Sequence, residues 1–129
     1  MELIKYELGQ NNIVDVLFDK DNETVWMSQQ MMSILFGKTT ACINQHIKKI
    51  LNEGELDKNS TIKDFLIVAN NNKKYKTKIY ELELMIEVGC RVKSKQGTRF
   101  RKWARQLIRN HIFKQLNGIT VKEKELALE

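Results

Sequence analysis

Gln29-Gln-Met-Met-Ser33-Ile-Leu-Phe36-Gly37-Lys-Thr-Thr40-Ala-Cys-Ile43-Asn-Gln-His-Ile47 is the stretch on which the fold turns. Met31, Met32, Leu35 and Phe36 recur at helical spacing, Ser28 stands where an N-cap belongs, and Gly37 ends the pattern. A second helix begins near Thr39, because Ile43, Ile47, Ile50 and Leu51 form one apolar stripe, and Asn52-Glu-Gly54 closes it. Two helices packed across a tight turn need a small residue where they cross and a glycine where the chain reverses; Ser33 and Gly37 fall at those places. The spacing therefore predicts a helix-turn-helix over residues 29–47. With the isoleucines inward, Thr40, Ala41, Asn44, Gln45 and Lys48 point outward. In a helix of this motif Asn and Gln pair with adenine edges, Thr meets bases or phosphate, and the Ala41 methyl packs on a thymine methyl. Thr40, Ala41, Asn44 and Gln45 are thus the candidate base contacts, and Lys48 and Lys49 candidate phosphate contacts. The plain alternative is a helical hairpin with a glycine turn and no nucleic acid.

Upstream, Ile13-Val-Asp-Val-Leu-Phe18 and Thr24-Val-Trp-Met27 are β-rich runs around the turn Asp19-Lys-Asp-Asn22, a hairpin. Downstream, Thr61 to Ala69 and Tyr75 to Tyr80 read as a second hairpin about Asn70-Asn-Asn72, its far side carrying Lys73, Lys74, Lys76 and Lys78. That hairpin is a candidate wing, with Lys74 and Lys76 on phosphate, although lysines also guard edge strands. Leu82, Met85, Ile86 and Gly89 suggest a short helix. Gly97 to Leu116 gives a long one, with Phe100, Trp103, Ala104, Leu107, Ile108, Ile112 and Leu116 at helical spacing. Between Arg91 and Lys114 the chain has nine Lys and Arg and no Asp or Glu. Arg101, Lys102, Arg105 and Arg109 share one face there and are candidate phosphate contacts; a solvated basic face without a ligand is the alternative. Trp26 and Trp103 are expected in the core, and His46 and His111 in structural or surface roles. Residues 1–117 are expected to form the domain, with 118–129 a tail or the start of a further region.

At 129 residues and 15.2 kDa there is room for one domain with a real core. Hydrophobic residues at 42% and charged at 29% exclude wholesale disorder, and a net charge of +6 with a pI near 9.3 favours anionic partners. No apolar run approaches the length of a bilayer span, and MELIKYELGQ lacks the order of a secretory signal, so a cytoplasmic protein without a membrane partner is expected. Cys42 and Cys90 lie in no ligand-like spacing and are expected as reduced packing thiols, with no metal and no cofactor. For catalysis the chain offers only Glu83 and Glu87 at i, i+4, without a nucleophile or third ligand, so binding is expected rather than an enzyme acting on a small molecule.

Residues 23–60 (ETVWMSQQMMSILFGKTTACINQHIKKILNEGELDKNS) and 80–104 (YELELMIEVGCRVKSKQGTRFRKWA) closely resemble the N-terminal region of the RhuM virulence-protein family of bacteria. The likeness runs from about Val14 to Leu116 and is most specific at Trp26 to Ile50, Glu53 to Leu56, and Val88 to Trp103. The later block also resembles the end of the Bro-N domain of viruses and phages, which is associated with DNA binding. Members of the RhuM family usually extend further, so the chain looks like the N-terminal domain alone. The resemblance implies a link to virulence islands or mobile elements, and supports the helix-turn-helix register with its adjoining basic helix. Together these readings predict an α+β fold, a winged helix-turn-helix-like domain with an N-terminal β-hairpin and a C-terminal basic helix. They further predict a sequence-specific double-stranded DNA-binding protein, a transcription regulator able to pair as a homodimer on a palindromic site. The competing expectation is an interaction or oligomerisation module whose basic helix binds an acidic protein.

Overall fold

The computed structural model describes residues 1–7, 13–68 and 71–127. Strands β1 (Glu2–Glu7), β2 (Ile13–Asp19) and β3 (Thr24–Ser28) lead into helices α1 (Gln29–Phe36), α2 (Thr40–Asn52) and the single turn α3 (Lys58–Thr61). Strands β4 (Ile62–Val68) and β5 (Lys74–Glu81) and helices α4 (Leu82–Arg91) and α5 (Lys95–Ala127) follow. The α+β class is as expected.

The strands form one antiparallel sheet in the order β1-β2-β3-β5-β4. Side chains alternate across it. Val14, Val16, Met27 and Tyr80 face the helices and join Met32, Phe36, Ile43, Ile47, Leu84 and Val88 in the main core. Leu17, Trp26 and Ile79, with Phe65 against them, form a smaller cluster on the other face. There Asp19 accepts hydrogen bonds from Trp26 Nε1 (3.1 Å) and Asn22 Nδ2 (2.9 Å), while the Lys63 ammonium sits 4.2 Å from the centre of the Trp26 ring. The Asn22 amide, then the indole N–H and Lys63, hold the Asp19 carboxyl below its usual range against the opposing effect of burial.

Two strands pass straight into helices. Ser28 ends β3 and caps α1, its hydroxyl accepting the Met31 N–H at 3.2 Å. Glu81 ends β5 and caps α4, accepting the Glu83 N–H at 2.8 Å and the Thr24 hydroxyl at 2.5 Å. Because β3 and β5 run antiparallel, α1 and α4 leave the sheet from opposite ends. Contacts run from α1 to α2, α2 to α4, α4 to α5 and α5 back to α1, closing a ring of helices.

Several expectations need correction. The opening residues pair as β1 along β2, an edge strand bearing Lys5 opposite Asp15 at 3.6 Å. The β4–β5 hairpin does not stand alone, because β5 lies inside the sheet between β3 and β4. Its expected strand end at Ala69 and turn residue Asn70 lie outside the described residues. Helix α5 runs through Asn117-Gly118 to Ala127 without the break expected there. Trp103 is 39% exposed rather than core, and Cys90 is exposed rather than packed.

Candidate nucleic-acid interface

The two-helix unit follows the expected register. Gly37 adopts the left-handed conformation, φ +62, and its N–H reaches the Ser33 carbonyl. The Ser33 hydroxyl donates to the Lys38 carbonyl, so the small residue at the crossing also ties down the turn. Thr39 caps α2, its hydroxyl accepting the Cys42 N–H at 3.1 Å. Ile43, Ile47 and Ile50 are buried, each burial contributing about 1.5–3 kcal/mol, which fixes the rotation of α2 about its axis. Thr40, Ala41, Gln45, Lys48 and Lys49 are consequently exposed on its outer side. Asn44 is half-buried, and its Oδ1 accepts from Gln29 Nε2 at 3.0 Å across the α1–α2 junction. Sequence reasoning missed Gln29; its place at the first position of α1, beside the second turn of α2, was the available signal.

The outer side of α2 carries the exposed Lys48 and Lys49. Burial, then Arg91, Lys49 and Lys38, pushes the His46 imidazole below its usual range, so every charge acting on it is a cation. Arg91 clamps the far end of α2, donating to Glu53 Oε1 at 2.7 Å and Oε2 at 2.5 Å and lying 3.5 Å from Glu87. That bidentate bond holds the Glu53 carboxyl below its usual range and raises the guanidinium further. Glu87, half of the acidic pair noted in the sequence, is thus an ion-pair partner.

Helix α5 is fixed to the turn of the two-helix unit. The Ser94 hydroxyl accepts the Gly97 N–H (2.9 Å), capping α5, and donates to the Phe36 carbonyl (2.6 Å) at the end of α1. A Cβ on Gly37 would come within 2.5 Å of the Gln96 side-chain amide at the start of α5, a flexible group that can swing aside, so it is the left-handed backbone angle that calls for glycine there.

The basic stretch divides by task. Arg101 is half-buried, and its Nη1 donates to the carbonyls of Gly89 (3.1 Å) and Val92 (2.7 Å), satisfying the end of α4. It is a structural group there, not a member of the exposed face expected of it. Lys102, Arg105 and Arg109 are exposed along one side of α5, with Lys93, Lys95 and Arg99 exposed at its start. None of these six makes an ion pair among the described residues. Of the hairpin lysines, Lys74 is exposed and Lys76 lies 3.6 Å from Asp64. A cleft of about 790 Å³ has Thr40, Gln29 and Gln30 on one wall and Thr77 and Lys78 of β5 on the other. The hairpin and the start of α2 therefore border one concavity, whereas the α5 cations lie on a separate element.

The described residues contain no group of three His, Cys, Asp or Glu placed to hold a metal ion, and no helix long and apolar enough to cross a membrane. Neither a curated protein nor a solved structure matches the chain. The profile of the family described as "Virulence protein RhuM family" matches residues 60–127. The match begins after the two-helix unit and runs past Leu116, so it covers β4, β5, α4 and α5, with the Val88 to Trp103 block, but not the Trp26 to Ile50 and Glu53 to Leu56 blocks. Spanning just over half of the sequence, this match shows that the chain belongs to the RhuM family of virulence proteins.

Proposed function

We propose that the chain binds double-stranded DNA in the manner of a helix-turn-helix protein, reading base edges with the outer side of α2 and holding phosphates with the free cations of α2 and α5. The observation that carries this reading is the outer side of α2: short polar side chains flanked by Lys48 and Lys49 on a helix whose rotation is fixed by three buried isoleucines. The Gln29 bond orients the Asn44 amide, yet Oδ1 keeps a second lone pair and Nδ2 its two hydrogens, the set an adenine edge requires. Support also comes from the cationic surroundings of His46 and from Ser94, which fastens the basic helix to the turn. The β4–β5 hairpin beside the start of α2 then serves as a wing, with Lys74 at its tip on the backbone. In this family, sequence-specific duplex binding fits a cytoplasmic transcription regulator carried on a virulence island or mobile element, with no catalytic step.

Fluorescence anisotropy of a random duplex at several salt concentrations, with heparin as a polyanion control, tests the reading. Log affinity should fall linearly with log salt with a slope of several phosphates, and Arg105→Ala should reduce that slope by about one. On a selected site Asn44→Ala should cost about 1–3 kcal/mol while leaving random DNA almost unaffected. Absence of binding at about 50 mM salt refutes DNA binding and leaves the acidic-protein partner.

A further inference from the structure

Beyond Ala104, every described side chain of α5 up to Gly118 is exposed, so the helix leaves the domain after its first three turns. Its 33 residues extend about 50 Å. One face of that projecting part is apolar. Trp103, Leu107, Ile108, Ile112 and Leu116 are between 39% and 59% exposed, and Ile86 on α4 is 40% exposed. A groove of about 450 Å³, lined almost wholly by apolar surface, runs beside them, with Val25, Leu82, Met85 and Ile86 facing Trp103 and Leu107.

We infer that this face pairs with the same face of a second copy of the chain, α5 against α5 about a two-fold axis. The inference is independent of DNA binding. Three observations favour a second copy as the occupant. Ala104, Ile108, Ile112 and Leu116 form an uncharged i, i+4 row, with Lys102, Arg105 and Arg109 along one side and Trp103 and Leu107 along the other. An acidic partner finds no counter-charge on such a row, whereas an apolar helix fits it, and α5 itself presents one. The row is also self-complementary. An axis between Ile108 and Ile112 sets Ile108 against Ile112 and the small Ala104 against Leu116, and i, i+4 ridges of two helices interdigitate at a crossing near −50°. The outer end of each helix then lies along the α4 groove of the other.

The third observation is area. At about 200 Å² for a fully exposed large side chain, the six exposed residues offer about 590 Å² per copy. Full burial of both sets amounts to about 1,200 Å², at the lower bound for a specific interface, before the groove walls are counted. A patch of this size stands at the upper end of the largest found on typical monomers, about 300–600 Å², and such patches are often functional.

Sedimentation equilibrium of the full chain at roughly 50 μM, where dimers of micromolar Kd are populated, tests the pairing. The expected result is twice the 15.2 kDa chain mass. Ile112→Glu with Leu116→Glu should return the chain to a monomer with unchanged far-UV circular dichroism, since both residues project beyond the packed part of the domain. A monomeric wild-type chain, or a dimer that survives both substitutions, overturns the proposal; in either case the salt-dependent binding of random duplex remains a separate readout of the DNA reading.

Discussion

Gly89→Ala isolates the contact on which the ring of helices closes. Gly89 is buried on the side of α4 that meets α5, and a Cβ there would fall inside the envelope of the Phe100 ring and 3.0 Å from Phe36 Cε1. The Phe100 ring would have to retreat by more than about 1 Å to recover a normal carbon contact of about 3.5–4.0 Å. It has little room, because it stands edge-on to Phe36 with ring centres 5.2 Å apart at 86°. Overpacking of this kind costs about 1–3 kcal/mol, and loss of the aromatic pair adds about 0.5–1.5. Alanine returns about 1 kcal/mol through its helix propensity. The net expectation is a loss of about 2 kcal/mol, or a fall in Tm of about 6–10 °C for a chain of this size. Urea unfolding followed by far-UV circular dichroism measures it, at one chain concentration so that any self-association cancels. In the Gly89→Ala background, Phe100→Leu should recover at least about 1 kcal/mol of the sum of the single losses, because the smaller side chain vacates the space the Cβ enters. A Gly89→Ala protein as stable as wild type, or strictly additive losses, would refute this account of the α4–α5 contact.

Ser94→Ala removes both the α5 cap and the bond to the Phe36 carbonyl, and should cost about 1.5–3 kcal/mol in the same unfolding assay. Ser94→Thr, which keeps the hydroxyl, should recover most of that; equal losses for the two variants would show that the hydroxyl is not the cause. Stability should also fall steadily as pH drops from 7 to 3. His46 binds its proton more weakly folded than unfolded, so its contribution starts to be lost below about 6.5. Asp19 and Glu53, both lowered in the fold, add losses that begin at the usual carboxylate range and continue beneath it. His46→Gln should flatten the part of the profile between about pH 7 and 5.5 and leave the acid limb in place; an unchanged upper limb would assign that proton uptake elsewhere.

The two-helix unit was legible in the sequence because its determinants are local: the caps at Ser28 and Thr39, the stripe of isoleucines, and the glycine turn all act within a few residues. Strand β1 was not, since Leu3 and Ile4 stand side by side between Glu2 and Lys5, without strand alternation, on an edge that only its register with β2 gives a partner. The interior place of β5 was hidden for a related reason, its choice of β3 as neighbour being a contact between segments some fifty residues apart. Continuation of α5 past Gly118 reflects a glycine penalty of only about 1 kcal/mol and no following proline. Arg101 shows what a basic run conceals: charge pattern located the helix face, but the carbonyls that recruit one of its members belong to α4. The apolar period along α5 was equally visible, yet periodicity cannot tell whether anything in the same chain covers it.

The pairing of β3 with β5 also shapes how the chain is assembled. One hairpin side of the sheet, β1 to β3, is complete before the helices are made, and the other, β4 with β5, only after them. A two-stranded hairpin is marginal in water by itself, so β4 with β5 gains lasting order only when the seam with β3 closes. Closing it requires looping out α1, α2 and α3, which makes this the contact that sets the pace of folding. During synthesis the two-helix unit therefore emerges before the strand that anchors it, and has a finished sheet to rest on only once Glu81 has left the ribosome.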